Sequence, residues 1–242
     1  PLQSTVNDFV IDWGDGNSET VTTVTSVSHS YGVGNEGIYQ ISLTDGFSGI
    51  RFANLGDKLK VNSIDQWGTN QWKSMDVAFW GCSNMVGTYT DFPDNSLVTN
   101  MYKMFGGCTN FNQPLTLSYT LNAITMSEMF IGCSSFNQPL TFDTLNVTSM
   151  SFMFKGCTNF NQPLTFNTSS VTTMYQMFHS CSSFNQPLTF SDTSSVANMS
   201  QMFYNCSIFN QSLTFDTSIV GTMSDMFHSC TNFNQPLTFS DT

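Results

Sequence analysis

The sequence predicts a repeat solenoid, a right-handed coil with one short parallel β-strand and one short helical or 3-10 segment in each repeat of 24 or 25 residues. Two observations predict it: a five-residue string recurs at a nearly constant interval, and cysteine recurs at the same interval. A third observation concerns residues 1–84, which do not repeat and whose first part is strand-like. They predict an antiparallel β unit that caps the N-terminal end of the solenoid.

The recurring string is Phe-Asn-Gln-Pro-Leu, with Ser for Pro in one copy. Its copies begin at Phe111, Phe136, Phe160, Phe184, Phe209 and Phe233. The seven cysteines are Cys82, Cys108, Cys133, Cys157, Cys181, Cys206 and Cys230. A period this short and this regular is typical of solenoids, in which each repeat is one structural unit that buries its apolar face against its neighbours.

Each repeat contains two segments with a pattern of their own. Residues 140–142, Leu-Thr-Phe, alternate apolar and polar side chains, which predicts a short strand with one buried face. Pro139 stands at the start of this strand, where its missing N–H does least harm. In residues 147–157, apolar side chains fall at i, i+3, i+6, i+7 and i+10. That spacing predicts a short helix or 3-10 segment with one buried stripe.

Stacking such coils places equivalent residues above one another, about 4.8 Å apart where strands pair. We therefore expect a core built of columns of Phe, Leu, Met and Cys. The asparagine that follows the first Phe of each string forms a further column, and side-chain amides at this spacing bond along a stack. This asparagine column consists of Asn112, Asn137, Asn161, Asn185, Asn210 and Asn234.

The N-terminal part of the chain has a different pattern. Residues 1–46 contain a strand-like run at 9–13, a Gly-Asp-Gly turn at 14–16, and further β-like runs at 21–27 and 38–43. Short β-rich runs separated by Gly- and Asn-containing turns predict a small antiparallel β unit.

Residues 47–84 predict an aromatic-rich capping and transition segment. Three of the four tryptophans lie here, Trp67, Trp72 and Trp80. Large aromatic side chains at this place are expected to cover the apolar columns that an uncapped stack exposes. The helical pattern of the repeat is already visible from Met75, and residues 85–242 predict about six coils.

Charge excludes several classes of partner. Only 10% of the residues are charged, against roughly 25% in an ordinary soluble domain, and the net charge is −11. Of the six basic residues only Lys155 lies beyond position 103, so the lysines and arginines that displace counterions from phosphates are missing. We expect no nucleic acid partner, no direct membrane insertion in this segment and no cofactor.

Residues 150–166 follow the pattern MSxMFxxCxxFNQPLTF, and copies of it over residues 75–242 resemble the BspA-like leucine-rich-repeat surface proteins, a Mycoplasma-type repeat domain of unknown function. The N-terminal strings IDWGDG (11–16), HSY (29–31) and GIYQISL (37–43) look like part of a PKD-type β-sandwich. The resemblance implies a leucine-rich-repeat-like coil. It also implies an extracellular, cell-surface or virion-surface protein that works by adhesion or display.

The cysteines leave three alternatives open. If they stack, neighbouring Cα atoms lie within the range of about 4.4–6.8 Å that a disulfide needs. Their side chains, however, would all point in the same direction into an apolar core, where a free cysteine behaves as a small hydrophobic residue. A reduced structural ladder is therefore favoured over occasional bridges, and both over a metal site, because zinc needs ligands that converge on one point.

No catalytic residues are predicted. His29 belongs to a turn or to the core of the β unit, and His179 and His228 share one repeat position but lie two coils apart. Without a suitably placed partner, neither is expected to activate a nucleophile. Asp12 and Asp15 flank a glycine turn and form a weak calcium candidate, since Ca²⁺ prefers oxygen ligands. The alternative is that these carboxylates bond their own backbone, as Asp at turns commonly does.

One row of threonines is the candidate contact face. It consists of Thr116, Thr141, Thr165, Thr189, Thr214 and Thr238. In the predicted strands this row stands on the outer side, as a ladder of methyl and hydroxyl groups. An ordinary solvated face, a contact surface for a glycan, a partner protein or a neighbouring subunit, and an ice-binding array are all compatible with it.

The sequence thus favours a non-enzymatic adhesion or display module that binds a glycan or a protein on another surface through a repetitive face. The alternative is a structural subunit of a virion fibre, a decoration protein or an extracellular filament that contacts neighbouring copies. The chain begins without Met and ends inside a repeat, which predicts a segment of a longer polypeptide.

Overall fold

A computed structural model of the chain describes residues 8–22, 27–44, 46–47, 49–190 and 192–238. Over these residues the regular elements are short. They are β1 (Phe9–Asp12), β2 (Ser18–Val21), β3 (Ser42–Thr44), β4 (Ser63–Ile64), β5 (Val86–Gly87) and two 3-10 helices, Lys58–Lys60 and Thr120–Asn122. No helix in this described part is both long and apolar enough to cross a bilayer. Most of the remaining backbone consists of turns joined by isolated bridges between repeats.

The N-terminal unit is a three-stranded antiparallel sheet with the order β2-β1-β3. The central strand β1 alternates, so that Phe9 and Ile11 are buried while Asp12 is exposed. The predicted β-like run 21–27 lies partly outside the described residues, and β2 ends at Val21. The predicted run 38–43 contributes only its end to β3.

Aromatic rings connect this sheet to the rest of the core. The ring centroids of Phe9 and Phe47 are 5.6 Å apart, and those of Phe47 and Trp72 are 5.3 Å apart. Trp67 then contacts both Trp72 and Phe79, at 5.6 Å and 5.9 Å, in edge-to-face arrangements. Such pairs add stabilisation beyond the burial of their area. One apolar core therefore continues from β1 into the first repeats.

From there on, each repeat lies directly on the next. Parallel bridges join one residue of each repeat to its equivalent, in the order Asn100, Thr125, Ser149, Thr173, Asn198 and Thr222. Backbone N–H groups of alternate residues also bond the following repeat: Met150 N–H to Thr173 O (3.1 Å) and Phe154 N–H to Met177 O (2.9 Å). Because buried backbone groups need partners, these bonds between repeats satisfy much of the backbone.

Neither a helix nor a 3-10 segment, the two alternatives predicted for residues 147–157, forms there. Alternate N–H groups in this segment bond the neighbouring repeat, and others close tight turns, such as Met153 N–H to Met150 O (3.2 Å) and Cys157 N–H to Phe154 O (2.9 Å). The backbone enters the left-handed region at Phe152, with φ 59°. The apolar stripe predicted for the helix is still buried, because turns of three residues repeat its spacing.

The strand predicted in residues 140–142 does not form. At the equivalent positions of the other repeats, the described residues contain a single β-bridge, between Leu164 and Leu188. Two features compete with a backbone ladder here. Pro139 has no N–H to donate, and Gln162 Nε2–H donates to the carbonyl of Asn137 (3.2 Å), which then serves a side chain instead of a strand.

The stacking begins earlier than the repeat strings indicate. Phe52 N–H bonds Ala78 O (2.9 Å) and Asn54 N–H bonds Trp80 O (2.8 Å), in the pattern that later repeats use, and β4 pairs in parallel with β5. Part of the predicted transition segment 47–84 is therefore already a stacked coil. It lacks the repeat string, and its Leu55 stands where later repeats have cysteine.

Two columns of phenylalanine run through the stack. The first contains Phe105, Phe130, Phe154, Phe178, Phe203 and Phe227, with centroids 5.6–5.8 Å apart. The second contains Phe111, Phe136, Phe160, Phe184, Phe209 and Phe233, with centroids 5.9–6.0 Å apart. Within each repeat the two rings lie parallel at 4.2–4.4 Å. The columns form a continuous apolar centre.

Candidate contact surfaces

The cysteine row lies inside the stack. All seven thiols are free and buried. Each later Sγ donates to the carbonyl of a phenylalanine in the preceding repeat, as in Cys157 Sγ to Phe130 O (2.9 Å) and Cys181 Sγ to Phe154 O (2.9 Å). Burial raises the pKa of the Cys133 thiol from 9.0 to about 12. A thiol that stays protonated is a poor nucleophile and a poor metal ligand, so this row serves packing.

The asparagine row bonds along the stack. The Oδ1 atom of Asn137 accepts the backbone N–H of Asn161 (2.9 Å) and the Nε2–H of Gln162 (3.1 Å). Each later asparagine N–H in the row bonds the Oδ1 of the asparagine one repeat earlier. Side-chain amides thus replace the backbone ladder in this part of the repeat.

The calcium candidates Asp12 and Asp15 are engaged by their own unit. Asp12 Oδ1 accepts the N–H of Gly14 (2.8 Å), and Asp15 Oδ1 accepts the N–H of Asn17 (3.0 Å). Asp15 Oδ2 is 2.8 Å from His29 Nε2, and this bond is the main reason that the pKa of Asp15 falls from 3.8 to about 2. Over the described residues, no group of three His, Cys, Asp or Glu side chains could hold a metal ion.

The threonine row is on the surface. Thr141, Thr165, Thr189, Thr214 and Thr238 are exposed, and Thr116 is half-buried. On either side of Thr165 the side chains of Leu164 and Phe166 are buried. The row is therefore a line of exposed hydroxyls held between two apolar columns. It lacks a regular β-ladder beneath it.

A second surface contains the positions at which the repeats differ. Counted from the first Met of each repeat, they are positions 2, 3 and 6. We call this surface the variable face, and over the regular repeats it comprises Tyr102, Lys103, Gly106, Ser127, Glu128, Ile131, Ser151, Phe152, Lys155, Tyr175, Gln176, His179, Ser200, Gln201, Tyr204, Ser224, Asp225 and His228. Gly106, Gln176 and Ser200 are buried, and the other members are exposed or half-buried. None of these residues belongs to the predicted contact row. The signal that identifies them is variation within a repeat that is otherwise nearly constant.

Contacts join the variable face into one surface. Lys103 Nζ is 2.9 Å from Glu128 Oε2 and lies 4.6 Å from the centroid of the Trp80 ring. In the next repeats Lys155 Nζ donates to Gln176 Oε1 (2.5 Å) and lies 5.2 Å from the Phe152 ring centroid. Lysine over an aromatic ring is a favourable arrangement. Both cations of this face are thus held in place by neighbours.

Towards the C-terminal repeats the variable face has a stack of three polar rings. The rings of His179 and Tyr204 are parallel at 4.7 Å, and those of Tyr204 and His228 at 4.5 Å. Each histidine Nδ1 is bonded to the hydroxyl of the following serine, Ser180 at 2.9 Å and Ser229 at 3.0 Å. Burial and the nearby Lys155 lower the pKa of His179 below 6.5.

With the geometry established, the chain can be compared with known families. The family described as Mycoplasma protein of unknown function, DUF285, matches residues 49–142 and 140–240. The chain belongs to this family. The first match begins at residue 49, close to Phe52, the first described residue whose backbone N–H bonds the following coil in the pattern of the later repeats. The PKD resemblance of the N-terminal unit gains no support from this match, which starts after it. No curated protein and no solved structure matches the chain.

In the DUF285 repeats, position 3 of the variable face has an unusual backbone. Its φ is positive in all seven repeats, between 49° and 59°, at Val77, Lys103, Glu128, Phe152, Gln176, Gln201 and Asp225. A residue with a side chain pays about 1–2 kcal/mol in the left-handed region, whereas glycine does not. The repeats nevertheless carry seven side chains here, of six kinds. The stack thus holds this position in the left-handed region whichever side chain it carries.

This strain can be measured at Phe152. The Phe152→Gly variant is expected to be more stable than Phe152→Ala by about 1 kcal/mol, because only alanine pays for the positive φ. At an ordinary position glycine is the less stable of the two by a similar amount. Urea unfolding of both variants measures the difference. The matched control is the pair of variants Ser151→Gly and Ser151→Ala, at a residue without a positive φ. Here the glycine variant should be the less stable of the two.

Proposed function

We propose that this DUF285 protein is a non-catalytic adhesion or display module, built as a right-handed leucine-rich-repeat-like solenoid, that binds a glycan or a protein partner through a repetitive face at a cell or virion surface. The observation that supports it is the threonine row, in which equivalent threonines recur in six successive repeats and are exposed in five of them. The resemblance of the repeats to BspA-like surface proteins agrees with this role.

Repetition has an energetic consequence for binding. Equivalent side chains in successive repeats present the same groups at a constant spacing, and a partner with its own repeating structure engages several of them together. The second and later contacts are then intramolecular, so weak contacts add to a useful total affinity. A threonine hydroxyl both donates and accepts a hydrogen bond, and its methyl group offers apolar contact, which suits sugar rings as well as peptide backbone.

A non-catalytic role is supported by the state of the reactive groups. The thiols are buried and protonated, and the Asp15–His29 pair lies in a turn of the β unit without a nucleophile among its hydrogen-bond partners. Polar groups that converge on one reacting position are the usual sign of an enzyme, and along the stack the polar groups form parallel rows instead.

The proposal is tested by binding of the intact protein to a glycan array, followed by variants in the threonine row. The double variant Thr165→Glu with Thr189→Glu is expected to weaken binding at least tenfold, because it places two carboxylates in the middle of the row. Ser118→Glu with Ser194→Glu adds the same charge at exposed residues outside the row and should bind normally. Equal binding by both double variants would exclude the threonine row as the contact face.

The structural alternative rests on the uniformity of the same row, which also suits contacts between many identical copies. Electron microscopy of the native source separates the two roles. Isolated surface molecules support adhesion or display, whereas regular fibres or a virion lattice support a structural subunit.

A further inference from the structure

The row formed by position 6 of four successive repeats has a chemistry that the threonine row lacks. It contains Lys155, His179, Tyr204 and His228, and we call it the basic row. His228 is exposed, and Lys155, His179 and Tyr204 are partly exposed. The chain as a whole is strongly acidic, with a net charge of −11. A line of basic groups on such a molecule is an exception that requires an explanation.

The three rings of the basic row lie parallel to one another, and each residue is at least partly exposed. Because the rings of His179, Tyr204 and His228 are parallel and 4.5–4.7 Å apart, their faces are largely occupied by one another. The Nδ1 atom of each histidine is satisfied by a serine hydroxyl, whereas neither Nε2 atom has a hydrogen bond to the described residues. The edges therefore offer two imidazole Nε2 groups on either side of a tyrosine.

Protonation of both histidines changes this row from one cation, Lys155, to three. Imidazole is the side chain whose ordinary titration range, between pH 5 and 8, includes neutral pH. When a histidine takes up a proton, its Nδ1–H donates to the serine oxygen and its Nε2–H points outwards. An imidazolium stacked on a tyrosine ring also gains a cation–π contribution, so Tyr204 lies where it stabilises a charge on either side.

Other charged groups close to the row are few. Asp225 lies in the same turn as His228, whose N–H bonds the Asp225 carbonyl (3.1 Å), and the Asp225 carboxylate accepts from Gln201 Nε2 (3.4 Å). Further along the variable face, Lys103 and Glu128 neutralise each other. The acid form of the row thus carries three positive charges against one nearby carboxylate, which is complementary to an anionic ligand.

We propose that the basic row binds the carboxylates of an acidic sugar chain, such as a polymer of uronic acids, and that it does so mainly at acidic pH. Charge-assisted hydrogen bonds from an imidazolium to a carboxylate are stronger than neutral ones. Successive carboxylates on one chain engage His179 and His228 together, so that the contacts reinforce each other. The inference rests on the proposed role as a binding module, and it specifies a surface and a ligand chemistry.

The pH at which binding appears follows from the groups themselves. The pKa of His179 lies below 6.5, so the free protein charges this residue only in acid. A uronic acid carboxyl has a pKa near that of an ordinary carboxyl group, about 3–4, and stays ionised well below pH 6. The row therefore becomes positively charged while the ligand is still negatively charged, at pH values between the pKa of the ligand carboxyl group and the pKa of His179.

The experiment uses the intact chain and an oligosaccharide of galacturonic acid immobilised on a biosensor, at pH 5.0 and pH 7.5 and constant ionic strength. The fully methyl-esterified oligosaccharide, which lacks the negative charges, serves as the matched ligand. We expect the dissociation constant for the acidic ligand to be at least tenfold lower at pH 5.0 than at pH 7.5. The ester is expected to bind weakly at both values.

Variants of the histidines test whether the pH dependence of binding arises from the basic row. The double variant His179→Gln with His228→Gln is expected to lose the dependence on pH, and each single variant to retain part of it. His29→Gln removes the remaining histidine, which lies in the β unit, and should leave the dependence unchanged. If the double variant does not fold, the histidine Cε1–H resonances of the unsubstituted protein provide the readout, since ligand at pH 5.0 should move the resonances of His179 and His228 and leave that of His29 in place.

Three results would overturn the inference: equal binding at both pH values, equal binding of the ester, or full pH dependence in the double variant. Absence of binding to the acidic ligand at either pH would overturn it as well. In each case the proposed function is judged separately, by the glycan array and the threonine-row variants, which do not involve these histidines.

Discussion

Replacing Phe154 with alanine is expected to lower the free energy of unfolding by about 3–5 kcal/mol, the range for phenylalanine removed from a packed core. The Phe154 ring is fully buried and lies 5.7 Å from Phe130, 5.6 Å from Phe178 and 4.4 Å from Phe160. Its loss opens a cavity between two neighbouring repeats that their backbone bonds prevent from collapsing. The damage therefore extends to the contacts above and below.

Urea unfolding followed by circular dichroism and by tyrosine fluorescence measures this loss. Two probes are needed because a repeat array can lose the cooperativity on which a single free energy depends. Thr165→Ala, at an exposed residue of the same repeat, should change the stability by no more than about 0.5 kcal/mol. A loss below about 1 kcal/mol in the Phe154 variant would mean that the phenylalanine columns are not the main source of stability.

The second large effect concerns the thiols. Cys133 is fully buried, and burial raises its pKa from 9.0 to about 12. Because the thiolate is the reactive form, little of it is available at neutral pH. In the folded protein Cys133 should react with a thiol reagent at least about tenfold more slowly than a free cysteine, whereas the denatured protein should react at once with about seven equivalents.

One cysteine should behave differently from the others. Cys230 is 8% exposed, and its pKa rises only to about 11. We expect it to react first in the folded protein, and mass spectrometry after partial alkylation identifies the modified residue. The control is the denatured, unreduced chain. If that chain reacts with only about one equivalent, three disulfide bridges are present and the free ladder is excluded.

The sequence predicts which residues of different repeats are equivalent better than it predicts the backbone conformation of each repeat. The repeat string identifies Phe136 and Phe160 as equivalent residues, and the structure stacks their rings at 6.0 Å. Likewise the string singles out Asn137 and Asn161, which the structure joins by a hydrogen bond. Equivalence of this kind follows from the period alone, because residues one period apart occupy the same place in neighbouring repeats.

Local conformation could not be predicted in the same way. The spacing of Val147, Met150 and Phe154 is compatible with a helix, and only the competing bonds to the next repeat turn the segment into a series of turns. Those bonds join residues more than 20 positions apart, so a local pattern does not contain them. The positive φ at Phe152 is equally hidden, since a bulky side chain at that position gives no sign of a left-handed backbone.

The candidate sites differ in the same respect. The threonine row is visible in the sequence because it is uniform. A search for identical residues at equivalent positions does not find the basic row, because the residue type changes from each repeat to the next. The row contains Lys155, His179, Tyr204 and His228. Only the ring stacking at 4.5–4.7 Å shows that His179, Tyr204 and His228 lie side by side.

The hydrogen bonds of the asparagine row bear on how the number of repeats can change in evolution. The bond from Asn161 N–H to Asn137 Oδ1 uses the same atoms as the bond from Asn185 N–H to Asn161 Oδ1. A deletion of residues 137–160 removes one complete period and brings Asn161 against Asn112, with the same donor and acceptor. Unequal recombination between the DNA segments that encode the repeats can thus lengthen or shorten the protein by whole repeats. The repeats that become neighbours are then joined by the same asparagine hydrogen bond as before.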